Sequence, residues 1–243
     1  NSALKAEKKS SRVAADGILV TTKNKDYATI LEINSETDFA AKDSQFLDFA
    51  EKVKNYISNN KINEISLFNN SEIEEARKTL VQTIGENIQL RRVSTIDINP
   101  KMKVGIYIHS DSKLGSIVVI EGGTDEMAKD IAMHVAAFNP ICLSKDTINK
   151  EILDRERTIY DNQAKDSGKP KEIMEKMVEG KIKRFLSEVS LLSQDFVKDP
   201  EITIQDYLES ESANIISFTR LKVGEGIEVE TKDFADEVAE QLK

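Results

Sequence analysis

Few residues in this chain could do covalent or acid–base chemistry. It has two histidines, His109 and His134, one cysteine, Cys142, and two aspartates in related surroundings, Asp38 and Asp125. A hydrolase would have to draw on Asp38, His109 or His134, and Cys142, and would need them as nucleophile, base and orienting group. Their contexts do not support it. Cys142 near Pro140 has no nucleophile signature and reads as a buried, inert thiol. His134 shares an apolar helical stripe with Met127, Ile131, Val135 and Phe138, the place of a core histidine. Asp125 stands at a helix start and reads as its cap. Gly224-Glu225-Gly226 lacks the setting of a phosphate loop and reads as a turn, and no HExxH, CxxC or GxGxxG occurs. The expectation is a protein that is not an enzyme and carries no metal or organic cofactor.

A near-repeat is more telling. Thr37-Asp38-Phe39-Ala40-Ala41-Lys42-Asp43 returns as Thr124-Asp125-Glu126-Met127-Ala128-Lys129-Asp130, identical at five of seven positions and offset by 87 residues (37 + 87 = 124). Each copy follows an apolar run, Thr29–Ile33 in one case and Ser116–Ile120 in the other. The chain therefore holds two versions of one unit. Phe39 could staple the turn to its own helix, or it could stand exposed. Glu126 at the matching place shows that the scaffold does not demand an aromatic there, which favours an exposed contact residue.

The elements that would position these residues follow from pattern. Residues 17–22 and 27–33 flank Lys23-Asn24-Lys25-Asp26 and predict a β-hairpin. Phe46, Phe49, Ala50, Val53 and Ile57 predict a helix. Ser71-Glu72-Ile73-Glu74 predicts a capping box opening a second helix to about Ile84, stopped by Gly85. Residues 87–93 predict a third strand. The second unit repeats the hairpin at 104–109 and 115–120, then the helix, and its third strand is Asn214–Phe218. Between them lies an inserted helical hairpin broken at Ser167-Gly168-Lys169-Pro170, with Ile148, Ile152, Ile159 and Gln163 on one arm's face and Ile173, Met177, Phe185 and Val189 on the other's. Asp233–Ala239 predicts a short amphipathic helix that needs docking to be stable.

Composition sets outer bounds. A net charge of -9 disfavours general nucleic-acid binding. A single cysteine fits a reducing cytosol, and no apolar run reaches membrane-spanning length, so the expectation is a cytoplasmic protein without nucleic-acid or membrane partners.

The stretch Glu32-Ile33-Asn34-Ser35-Glu36-Thr37-Asp38-Phe39 resembles the signature of the elongation factor Ts family, nucleotide-exchange factors for elongation factor Tu. Further matches are Val13–Gly17, Ile84-Gly85-Glu86-Asn87-Ile88, Met133–Ala137, Ser167–Pro170, Glu175–Gly180 and Val223–Glu228. The resemblance implies an α+β fold of two related subdomains, each a three-stranded antiparallel sheet with packed helices, plus a helical coiled-coil insertion and a C-terminal helix. It also implies that Asp38 and Phe39 reach toward the GTPase's magnesium and phosphate site, and that Ile84, Gly85 and His109 help grip one of its helices. Ala40 departs from the family's usual Val, and Asp195 from a common Pro. On this reading residues 1–12 are a linker remnant that has lost the family's ubiquitin-associated-like domain. Residues 13–98 form the first core subdomain, 99–146 with 191–230 the second, 147–190 the hairpin and 231–243 a C-terminal module. A homodimer through the hairpin is a further expectation. The rival reading is a scaffold protein that assembles through that hairpin, with Phe39 in its core.

Overall fold

The computed structural model describes residues 11–228, so the expected linker over 1–12 and the C-terminal helix of 231–243 fall largely or wholly outside the described residues. Within that range the class is α+β. Strands β1 (Asp16–Lys23), β2 (Tyr27–Ser35) and β3 (Gln89–Asp97) form one antiparallel sheet in that order. Strands β4 (Met102–Ile108), β5 (Leu114–Glu121) and β8 (Asn214–Lys222) form a second in the same arrangement. The repeat extends to irregularities. The first sheet's bulge falls at Glu32/Ile33 and the second's at Val119/Ile120, again 87 residues on (32 + 87 = 119).

Strand alternation explains how the sheets stack. Leu31 and Ile33 join Phe46, Phe49 and Val53 in one core, and Val118 and Ile120 join Met127, Ile131 and Val135 in another. The opposite faces meet: Leu19, Ala28 and Ile30 pack with Val104, Ile117, Val119 and Leu221. The architecture is helices, sheet, sheet, helices. Every residue of β2 is buried because both faces of that strand are covered.

The helices are α1 (Asp38–Ala41), α2 (Ser44–Asn59), α3 (Glu72–Ile84), α4 (Asp125–Phe138), α5 (Lys150–Asp166), α6 (Lys171–Val189) and α7 (Ile204–Ser210). The expected core face of α2 is buried as read. Ser71 caps α3 by accepting the Glu74 N–H, but the Glu74 carboxylate pairs with Arg77 at 2.7 Å, so only half of the capping box forms. Gly85 ends α3 at φ 87°, a left-handed conformation that suits glycine. Asp125 is not a cap: Thr124 is, and Asp125 opens the first turn.

Two further expectations are corrected. The hairpin seam lies one residue along from the expected stripe, on Leu153, Tyr160, Ala164, Met174, Val178, Ile182 and Leu186. Ile152, Ile159 and Ile173 face outward. The second unit also contains elements the repeat does not announce: a two-stranded sheet of β6 (Asp195–Phe196) and β7 (Asp199–Thr203), followed by α7. Phe196, Ile204 and Leu208 cover that unit's core, the task that Ile73, Leu80 and Val81 of α3 perform in the first.

Candidate functional site

Both heptapeptides begin with a capping threonine. Thr37 Oγ1 accepts from the Ala40 N–H, and Thr124 Oγ1 from the Met127 N–H. In the second unit the helix then runs to Phe138. In the first it stops at Ala41, and Asp43 caps a new helix by accepting from the Gln45 N–H. A difference in β1 and β4 accounts for the break. A Cβ on Gly105 would lie 1.9 Å from the Ala128 carbonyl oxygen, so α4 rests on bare backbone. Gly105 pairs with Val118, and in the first sheet Val20 pairs with the matching Leu31 (31 + 87 = 118), so the residue in its place is Val20, whose side chain is buried in the same core as Ala41. Helix α1 is left as a single turn.

That turn presents Phe39 with 81% of its surface exposed, while Ala40 and Ala41 beside it are buried. The staple alternative is thereby excluded, and so is a place for Phe39 in the core. Asp38 pairs with Lys42 at 2.7 Å. That hydrogen bond, reinforced through space by Lys113, holds its carboxyl below the usual range.

The α3–β3 turn lies alongside. Glu86 Oε1 accepts from the Thr37 hydroxyl at 2.7 Å, and Oε2 accepts from the Thr37 N–H at 3.0 Å. In return Glu36 accepts from the Asn87 N–H at 2.6 Å. The Asp38–Phe39 and Ile84–Gly85 turns are therefore cross-braced. Ile84 is half-buried against the first core.

His109 is exposed in the β4–β5 turn, where its Nδ1 lies 3.1 Å from an Asp111 carboxylate oxygen. The turn docks on the first sheet. The Leu19 N–H donates to the Ser112 carbonyl at 2.7 Å, and Lys113 pairs with Asp16 at 2.8 Å. Thus the structure links the Asp38–Phe39 and Ile84–Gly85 turns through Thr37–Glu86 and Glu36–Asn87, and docks the turn that carries His109 on β1 through Ser112 and Lys113.

The other chemistry-bearing residues are structural. His134 is fully buried: its Nδ1 accepts from the Val197 N–H, so Nε2 carries the proton donated to Gln194 at 2.9 Å. Cys142 is buried against Ser190. Phe138, expected on the buried face, is half-exposed and stacks on His134 with ring centroids 4.6 Å apart. Residues 223–226 form a turn, as expected. A surface groove of about 460 Å³ between α2 and α3 is lined by Lys52, Asn55, Tyr56 and Glu72 and includes none of the candidate residues.

Comparison with known proteins decides the family. The profile described as "Elongation factor TS" matches residues 36–225. The chain belongs to the elongation factor Ts family. It is 46% identical to "Elongation factor Ts" of Hahella chejuensis, across all of this chain and 85% of that protein. It is 47% identical to "Elongation factor Ts" of Francisella tularensis subsp. novicida, across 98% of this chain and 83% of the relative. All five candidate contact residues fall inside the matched region.

Sequence reasoning missed Glu86 and Glu36 as neighbours of the site. A signal was present: the second unit has Gly122-Gly123 where the first has Ser35-Glu36 (36 + 87 = 123).

Proposed function

We propose that this chain is a guanine-nucleotide exchange factor that binds elongation factor Tu and speeds GDP release, and that it is not an enzyme. The observation that carries this reading is Phe39, a large aromatic exposed on a braced single-turn helix. Water contact there gains the fold nothing. Burial against a partner would contribute about 1.5–3 kcal/mol. Asp38 and Phe39 act as the wedge that disturbs the GTPase's magnesium and phosphate site, while Ile84, Gly85 and His109 grip beside it. Linkage supplies the mechanism. A factor that binds the nucleotide-free GTPase better than the GDP form weakens GDP binding by the same ratio. One anchor accounts for roughly one to two decades of that ratio, so the rest is spread over the other contacts. The test is release of labelled GDP from purified elongation factor Tu with and without the chain. Acceleration supports the reading, and an unchanged rate overturns it.

Exposed Ile152, Ile159 and Ile173 support a second contact, between two copies through the hairpin. Sedimentation of wild type and an Ile152→Gln/Ile159→Gln variant tests it. A loss of dimer in the variant supports the contact, and a monomeric wild type refutes it.

A further inference from the structure

We propose that Glu86 is a positioning residue for exchange, acting through the Phe39 turn; this rests on the exchange reading above. Helix α1 has four residues, far too few to hold its own shape. Its geometry depends on the Thr37 cap, and that cap's bond to the Ala40 N–H is long at 3.3 Å. Glu86 accepts hydrogen bonds from both the hydroxyl and the backbone N–H of Thr37. With the hydroxyl hydrogen committed to the carboxylate, the oxygen's lone pairs are left facing Ala40.

The second unit serves as an internal control. It keeps the threonine cap and has a glycine pair in place of Ser35-Glu36. Its 14-residue helix is anchored by buried Met127, Ala128 and Ile131, so its first turn is fixed without a brace. Carboxylates brace the turn in the unit whose helix is a single turn and whose second residue is an exposed aromatic. A wedge held in place before encounter avoids an ordering cost at binding. The same carboxylate follows Gly85 directly, so it also sets the spacing between the two gripping turns.

The experiment uses the full chain as wild type, Glu86→Ala, Glu86→Gln, Phe39→Ala and the Phe39→Ala/Glu86→Ala double variant, read by amide hydrogen exchange and by stimulated GDP release. In Glu86→Ala, Thr37 and Ala40 should exchange about tenfold faster, the scale of losing a charge-assisted hydrogen bond, with the β2 amides unchanged. Stimulated GDP release should fall several-fold. Glu86→Gln, whose side-chain oxygen still accepts from the Thr37 N–H, should recover most of it. In the Phe39→Ala background the Glu86→Ala change should cost little more. Unchanged protection at Thr37, or an equal further loss without Phe39, overturns the proposal. If wild type itself leaves GDP release unchanged, the exchange reading falls and Glu86's role in exchange falls with it. The hydrogen-exchange arm still reports whether the brace exists.

Discussion

Leu47 and His134 align in the sequence repeat (47 + 87 = 134), yet Leu47 is 44% exposed and His134 is fully buried. The break after Ala41 restarts the helix at Ser44 and turns Leu47 outward, whereas α4 runs unbroken and the β6–β7 arm lays Val197 and Gln194 over the histidine. Burial pushes the His134 pKa below its ordinary 6.5, outweighing the favourable bond to Gln194. An unfolded chain therefore binds a proton below that pH which the folded chain refuses. Stability should fall on acidification by at most about 1.4 kcal/mol per pH unit from this one site. Denaturant titrations across that range, compared with His134→Asn, should show the slope difference. Identical slopes would mean that His134 titrates freely. The histidine's burial was legible from its apolar stripe. The Phe39 exposure was legible because a second copy of the turn carries Glu126. The Glu86 brace was not, since it joins residues 49 apart through a turn whose approach only the folded sheet fixes.

Period and capping made most elements legible, including the core face of α2 and both hairpins. What failed was the choice between adjacent stripes of the inserted hairpin, where Ile152 and Ile159 sit beside Leu153 and Tyr160. Periodicity gives both stripes equal standing. Ala164, buried and small, lets the arms approach on the second. The hairpin's root is narrow: the Ile141 and Cys142 N–H groups both point to the Val189 carbonyl, and the Leu191 N–H donates to Cys142. Replacing residues 147–187 with a short Gly/Ser link should leave both sheets folded, with cooperative melting retained; loss of the whole transition would place the hairpin in the core. Gly105 is the opposite case. An added Cβ would collide with the Ala128 carbonyl, so Gly105→Ala must lift α4 from its sheet. Denaturant unfolding should show a loss of about 3 kcal/mol, near the upper end for single substitutions. A neutral effect would show that the helix can slide.

At the scale of the whole molecule, one buried carboxylate ties the two units together. Glu32 stands where the second unit has Val119 (32 + 87 = 119) and has no exposed surface. It accepts from the Gly224 N–H at 2.8 Å, from Asn34 at 2.9 Å, and from Arg92 at 2.5 Å, with Arg91 at 3.1 Å. Burial alone would raise its pKa, but the Gly224, Asn34 and Arg92 hydrogen bonds together hold it below 4.5. Its contribution is therefore present above that pH and is lost as pH falls through the folded value. The two arginines go on to the Glu225 and Lys222 carbonyls, so the end of β8 is fixed to the first sheet. Glu32→Ala should cost about 3 kcal/mol, the low end for breaking a buried pair because the arginines keep some water. Calorimetry should show a lower melting temperature, and an unchanged one would mean that the apolar interface alone aligns the sheets.

That alignment holds the Phe39, Ile84 and His109 turns in fixed relation, and exchange is proposed to depend on it. The most direct measurement is stimulated GDP release from elongation factor Tu by wild type and Phe39→Ala, beside the thermal melting of each. With Phe39 81% exposed, the account predicts release slowed by roughly one to two decades and a melting temperature nearly unchanged. Full stimulation by Phe39→Ala, whatever its melting temperature, would contradict it.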